Sequence, residues 1–238
     1  MINRKTTQKL DQNAFARGEA ILIDKDYRWS SFKVIHEFRK VAGLRKMGHA
    51  GTLDPLATGL LIVCTGKMTK QIDTFQNLPK VYTGTITLGK STPTMDAESQ
   101  PDAEFSLDGI TAEKIRAVLP EFTGEIEQVP PMYSAVNYAG KKLYEIARKG
   151  KTVHREPRKV TVTRFEITEI NLPEVKFEVE CSKGTYIRVL AHDLGARLGC
   201  GGYLSELRRT AIGDYHVEDA FTIHELRKME RIELLVEN

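Results

Sequence analysis

The chain is predicted to be an α+β protein, on three observations. Segments with the two-residue period of strands and segments with the three-to-four-residue period of helices are interspersed, without the strand–helix–strand rhythm of a doubly wound sheet. Of the 238 residues, 41% are hydrophobic and 28% charged, the balance of an ordinary globular protein with a sizeable core. No internal repeat and no linker-like stretch interrupts the chain, so residues 18–238 are expected to form a single domain.

The elements follow in order. Residues 1–17 are polar and without sustained period, and a flexible N-terminal segment is expected there. They contain no apolar leader core, and no later stretch approaches a membrane span, so a cytoplasmic protein is expected. Glu19 to Asp24 reads as a short strand. Ser30 and Ser31 can cap a helix through Phe32, Ile35, Phe38 and Val41. Gly48 to Gly59 is too rich in Gly, Thr and Pro for regular structure, and the apolar run Leu60 to Cys64 after it reads as a buried strand. Tyr82 to Leu88 is β-branched and nearly alternating, as a half-buried strand should be.

Residues 91–109 form a polar, acidic loop, and 112–119 a short helix stopped by Pro120. Pro130-Pro131 breaks the chain again before an amphipathic stretch around Leu143, Ile146 and Ala147. Val160 to Ile170 and Val175 to Cys181 read as paired strands joined at Asn171 to Pro173. From Tyr186 a helix places Ile187, Leu190, Ala191, Leu194 and Leu198 on one face and ends at Gly199, Gly201 and Gly202. A last helix starts near His224.

Charge is unevenly spread. The net charge is +3, yet Asn137 to Arg164 holds nine Lys or Arg against two Glu, a balance of +7 that leaves −4 elsewhere. Part of the deficit lies in Asp96 to Asp108, with five carboxylates and no Lys or Arg. A localised basic segment is suited to RNA phosphates, although a solvated helical face has the same composition. The three cysteines, Cys64, Cys181 and Cys200, are odd in number and lack CxxC spacing, and no HExxH occurs. Buried, reduced thiols are expected, with no disulfide framework, no metal and no cofactor.

The stretch GHAGTLDPLATG, Gly48 to Gly59, carries the chemistry. Its glycines permit tight turns and close approach to a ligand, and Pro55 biases Asp54 away from helix. On spacing alone Asp54, beside His49, could be a metal ligand, a helix cap or a catalytic group. The ending is not that of a P-loop.

The whole pattern resembles the signature of the TruB family of pseudouridine synthases. Gly18 to Phe32 resembles that family's first motif, including Lys25 and the Ser30-Ser31 pair. Val81-Tyr82 opens the strand of its pocket tyrosine, and Cys181 to Gly195 is similar to its third motif. Ile126 to Gly150 resembles its RNA-gripping insertion, placed at about 124–155, and the likeness runs collinearly over roughly residues 18 to 224.

The resemblance implies a mixed, mostly antiparallel central sheet with flanking helices. It also implies isomerisation of a uridine in the T-arm loop of tRNA, at position 55. Asp54 matches the catalytic carboxylate, Arg188 the arginine that pairs with it, and Tyr82 the residue that stacks on the target base and can act as general base. A core tyrosine is the plainer reading of Tyr82. The target base must be flipped out of a folded loop. His49 matches the residue that fills the gap, though by pattern it is an ordinary surface histidine. Leu207 and Tyr186 match pocket residues, and Leu207 by pattern alone is core. Lys25 matches the first-motif lysine, as structural support or a backbone contact. Lys141, Lys142, Arg148 and Lys149 fall in the RNA-gripping insertion.

Two departures stand out. Asp26 follows Lys25 where the family usually has proline. The chain also ends soon after its last helix, so no C-terminal RNA-binding domain of the PUA type is expected. A monomer is the simplest expectation. Two other readings compete. A non-catalytic RNA-binding or tRNA-folding protein would lose Asp54, Tyr82 and Arg188, all present here. A glycoside hydrolase needs a second carboxylate across the sugar, and none stands out.

Overall fold

A computed structural model describes residues 1–5 and 12–236. In chain order the elements begin with α1 (Gln12–Arg17), β1 (Ala20–Lys25), α2 (Ser31–Ala42), β2 (Met47–His49), β3 (Thr58–Thr65), α3 (Ile72–Asn77) and β4 (Lys80–Leu88). There follow β5 (Lys90–Ser91), β6 (Ala103–Glu104), α4 (Ala112–Val118), β7 (Gly124–Gln128), β8 (Asn137–Tyr138), β9 (Lys141–Lys142) and α5 (Leu143–Ala147). The chain closes with β10 (Arg158–Asn171), β11 (Glu174–Cys181), α6 (Ile187–Leu198), β12 (Gly202–Ile212), β13 (Tyr215–His216), β14 (Phe221–Thr222) and α7 (Ile223–Val236). The architecture is α+β, with mixed but mostly antiparallel strand pairing. By internal contacts the chain groups into two compact units, Met1–Tyr82 with Leu207–Asn238, and Thr83–Glu206.

In the first unit β1 lies between β14, parallel, and β3, antiparallel, and β3 also pairs with β2 and, in parallel, with β12. Both faces of β1 and β3 are covered, which is why both read as unbroken apolar runs. Ile21, Ile23, Leu61 and Val63 pack with Val34, Ile35 and Phe38 of α2 on one face. Ala20, Leu22, Leu60, Ile62 and Cys64 pack with Ile212 and Val217 on the other.

In the second unit β10 pairs antiparallel with β11 and with β7. Here one face is wet, and the sequence alternates accordingly. Val175, Phe177, Val179 and Cys181 are buried, while Arg164 pairs with Glu178 at 2.5 Å and Lys176 with Glu169 at 2.7 Å on the exposed side. Helix α6 lies tightly against the start of β12: a Cβ on Gly195 would sit 2.2 Å from the Gly201 carbonyl carbon.

Most expected elements are present within a residue or two. The N-terminal segment differs. Residues 6–11 lie outside the described residues, but Gln12–Arg17 is a helix whose Phe15 is fully buried edge-on to Phe38, ring centroids 5.4 Å apart. Ile2 also bridges to Ile21. Strand β12, the longest of the elements that the sequence pattern does not reveal, carries Ser205, Glu206, Arg208 and Arg209 in its middle. Leu198 is half-buried rather than core, and β2 takes up the first residues of the Gly-rich stretch. All three cysteines are buried, and burial pushes the Cys64 thiol up to about 11.

The N-terminal helix yields a test. Phe15→Ala should lower the free energy of unfolding by about 3–5 kcal/mol, read from urea midpoints, because it leaves a cavity beside Phe38. A loss under about 0.5 kcal/mol would mean that α1 does not pack on the core.

Candidate active site

Between β2 and β3 the chain makes an irregular excursion over residues 50–57, with Asp54 at its middle, half exposed. Three buried side chains hold it in place. Ser30 caps α2 by accepting from the Lys33 N–H at 3.0 Å. Ser31 turns inward instead: its Oγ accepts from the Leu53 N–H at 2.9 Å and donates to the Leu53 carbonyl at 3.1 Å. A single hydroxyl thus satisfies both backbone groups of the residue before Asp54.

The residue after Asp54 is held by Lys25, the last residue of β1 and only 1% exposed. Its Nζ donates to the carbonyls of Trp29 at 2.6 Å, Asp26 at 3.0 Å and Pro55 at 3.3 Å. These three acceptors match the three donors of an ammonium. Asp26 keeps the turn closed, since its carbonyl also accepts from the Trp29 N–H at 3.3 Å.

Arg209 of β12, also 1% exposed, fixes both ends of the excursion, with Nε on the Leu60 carbonyl at 2.7 Å and Nη2 on the Gly51 carbonyl at 3.2 Å. Beside it Arg208 grips Asp24 through two hydrogen bonds, 3.1 and 2.7 Å. Gly59 is required where the strands meet: its φ is +102°, and a Cβ there would lie 2.3 Å from the Arg209 carbonyl oxygen. The Ala57 N–H closes the turn onto the Asp54 carbonyl at 3.1 Å.

The electrostatics follow from this packing. Desolvation lowers the Lys25 pKa to about 8, opposed by the nearby negative charge of Asp54 and then of Asp26. His49, at the end of β2, is lowered below its usual value, first by burial and then by the Arg209 cation, so its ring is neutral at pH 7. Tyr82 is buried on β4, and Leu207, expected in the core by pattern, is half-buried on β12. The first unit therefore brings Lys25, His49 and Asp54 to one loop.

The remaining expected residues belong to the second unit. Tyr186 is the N-cap of α6, and the Gln128 side chain holds its backbone from both sides, donating to its carbonyl at 3.2 Å and accepting from its N–H at 2.9 Å. Arg188, in the first turn of α6, is 4% exposed. Its guanidinium carbon is 5.9 Å from the Tyr186 ring centroid, and Nη1 is 3.4 Å from the carboxylate of Asp96. Asp96 is itself buried. Its other oxygen accepts from the Glu98 N–H at 2.9 Å, and its carbonyl accepts from the hydroxyls of Thr92 and Thr94. Lys141, Arg148 and Lys149 are exposed around the β8–β9 hairpin and α5, and Lys142 is half-buried. Among the described residues, no group of three or more His, Cys, Asp or Glu is placed to hold a metal.

The model of the TruB family pseudouridylate synthase N-terminal domain matches residues 39–187. The tRNA pseudouridine synthase B of Flavobacterium johnsoniae is 48% identical over 216 residues, which cover 88% of this chain and 94% of that protein. The chain belongs to the TruB family of pseudouridylate synthases. It is accordingly an isomerase that converts uridine to pseudouridine.

A second model of the TruB family, the tRNA pseudouridylate synthase B C-terminal domain, matches residues 188–234. The synthase B of Phocaeicola vulgatus is 45% identical over 215 residues, covering 88% of this chain and 92% of its own. Among solved structures, the crystal structure of a Cbf5-Nop10-Gar1 complex aligns with TM-score 0.68 and 30% identity over 90% of this chain. An H/ACA RNP bound to a substrate RNA containing 2'-deoxyuridine aligns with TM-score 0.66 and 28% identity. The chain spans about half of each of those two chains, 54%.

Three contacts escape the sequence pattern: in the first unit Ser31 as a staple rather than a cap and Arg209 as a buried bracket, and in the second unit Asp96 paired with Arg188. Asp96 left a trace as one carboxylate of an acidic run and Ser31 as half of the Ser30-Ser31 pair, but Arg209 left none.

Lys25 gives a pH test with a definite sign. Its pKa is about 8 in the folded chain against 10.5 for the free side chain, so between those values the unfolded chain binds the extra proton. Wild type should therefore gain stability relative to Lys25→Met as pH rises from about 8 to 10.5, by on the order of 3 kcal/mol, with a flat difference below pH 8. Urea midpoints across this range decide it, and a constant difference would mean that the ammonium is not desolvated.

Proposed function

We propose that the chain isomerises one uridine in the T-arm loop of tRNA, at position 55, with Asp54 as the catalytic carboxylate. One observation carries the assignment of Asp54: the residues on either side of it are fixed by buried groups, while its own side chain stays half exposed. A carboxylate so mounted is oriented and accessible, as a nucleophile must be. That relatives at 45–48% identity carry the name tRNA pseudouridine synthase B supports tRNA as the substrate.

The reaction breaks the C–N glycosidic bond, turns the uracil, and rejoins it to the sugar through C5, from which a proton is then lost. A carboxylate attacking sugar or base provides the covalent intermediate that separates these steps. Tyr82 offers a π-face for the base and a hydroxyl for proton transfer. Arg188 would keep the carboxylate ionised, as a paired guanidinium does. A neutral His49 suits the gap left by a flipped base, since an uncharged ring enters a stack at little desolvation cost. Tyr186 and Leu207 are proposed to line the pocket. Lys141, Lys142, Arg148 and Lys149 are proposed to contact phosphates, in a protein that works as a monomer in the cytoplasm.

Tritium release from [5-³H]uridine-labelled tRNA transcript tests the chemistry, because forming the C–C bond expels the C5 hydrogen. Wild type is expected to release tritium, and Asp54→Asn to bind tRNA while releasing at least about 1,000-fold more slowly. Comparable release by the variant would remove Asp54 from the mechanism. Binding without release by wild type would leave a non-catalytic RNA-binding protein.

A further inference from the structure

Strand β7, with the sequence GEIEQ, buries a polar side chain in preference to an apolar one. Gln128 is 3% exposed, the one buried residue of the strand, while Ile126 is half-buried and Val129, next in the chain, is 43% exposed. A primary amide is costly to take out of water unless its donor and its acceptor both find partners.

Both do, on the same residue. Nε2 of Gln128 donates to the Tyr186 carbonyl at 3.2 Å, and Oε1 accepts from the Tyr186 N–H at 2.9 Å. The side chain pairs with Tyr186 as the backbone of a neighbouring strand would, across 58 residues of sequence.

Tyr186 is where α6 begins. It is the N-cap, extended at φ −97° and ψ 106°, and its own side chain makes no capping hydrogen bond. Its carbonyl accepts from the N–H groups of Val189 at 3.1 Å and Leu190 at 3.2 Å, and so opens the first turn. Two residues on stands Arg188, 4% exposed, its guanidinium carbon 5.9 Å from the Tyr186 ring centroid and Nη1 3.4 Å from the Asp96 carboxylate. At that length the contact is near the limit of a hydrogen bond, and a displacement of about 0.3 Å at the helix start decides whether it forms.

The other end of the clamp is anchored in the sheet. Gln128 lies opposite Arg158 in the antiparallel pairing of β7 with β10, and β10 pairs in turn with β11. The start of α6 is therefore referenced to three strands through one side chain.

We propose that Gln128 is a positioning residue for the isomerisation, which sets, through the Tyr186 backbone, where the Tyr186 ring and the Arg188 guanidinium stand. It acts through these two residues and not by contact with RNA. The proposal rests on the reading that Tyr186 and Arg188 belong to the site.

The test uses two full-length variants. Gln128→Met is nearly isosteric and removes both hydrogen bonds; Gln128→Asn keeps the amide on a side chain one methylene too short. Three quantities are measured: Kd for tRNA, the single-turnover rate of tritium release from [5-³H]uridine-labelled transcript at saturating enzyme, and the position of the Arg188 Nε–Hε resonance, assigned by its loss in Arg188→Lys. Both variants are expected to bind tRNA like wild type, to release tritium about 10- to 100-fold more slowly and to shift the Arg188 resonance. A lowered urea midpoint with rate and resonance unchanged would reduce Gln128 to a structural cap and overturn the proposal. Loss of tRNA binding without loss of the saturated rate would overturn it too. Should Gln128→Met fail to fold, the same readouts on Gln128→Asn decide. Wild-type release by Arg188→Lys would sink the site reading and the proposal together. Slow release by Arg188→Lys beside wild-type release by both Gln128 variants would sink the proposal alone.

Discussion

The site depends on the bracing of Leu53, Asp54 and Pro55 by side chains remote in sequence. The Ser31 hydroxyl satisfies both backbone groups of Leu53, and the Lys25 ammonium reaches the Pro55 carbonyl. Without them a Gly- and Pro-containing excursion would sample many conformations, and each ordered residue costs about 1–2 kcal/mol of backbone entropy. A net hydrogen bond contributes only about 0.5–1.5 kcal/mol, but a buried group left unpaired costs about 1–3 kcal/mol. The bracing therefore acts less by the strength of each bond than by penalising every arrangement that breaks one.

Burying two cations to hold one loop is costly, and the structure compensates with backbone carbonyls. Lys25 lies against three carbonyl oxygens and Arg209 against two, rather than in a simple ion pair. Carbonyl dipoles replace water around the charge, and the positive charges then act on their neighbours. The Arg209 cation helps keep His49 neutral, and Lys25 is coupled to Asp54. Stability and electrostatics at this loop are thus consequences of the same contacts. In the second unit Arg188 is instead paired with a carboxylate, that of Asp96, which also accepts from a backbone amide, while threonine hydroxyls donate to the Asp96 backbone carbonyl.

How far the sequence was legible follows from where partners lie. β1 and β3 could be read because both faces are buried and every residue reports it; β10 and β11 because alternation survives on a one-sided sheet. β12 was hidden because a buried arginine and half-buried polar residues interrupt its alternation, and α1 because one phenylalanine carries the burial of a six-residue helix. Asp96 was read as one of five surface carboxylates, whereas the other four, Glu98, Asp102, Glu104 and Asp108, are indeed exposed. Ser31 and Arg209 act on backbone groups 22 and 149 residues away, a relation no local pattern encodes. The loop itself was recognised by resemblance of the whole motif, since spacing alone left Asp54 as ligand, cap or catalyst.

The central claim is that the loop carrying Asp54 is pre-set in the free protein. Amide hydrogen exchange at Leu53 tests it most directly, because this N–H is irregular in backbone yet bonded to a buried hydroxyl. Protection comparable to that of the β3 amides in wild type, lost in Ser31→Ala, is the predicted result. Exchange of Leu53 at the rate of an open loop in wild type would contradict the account.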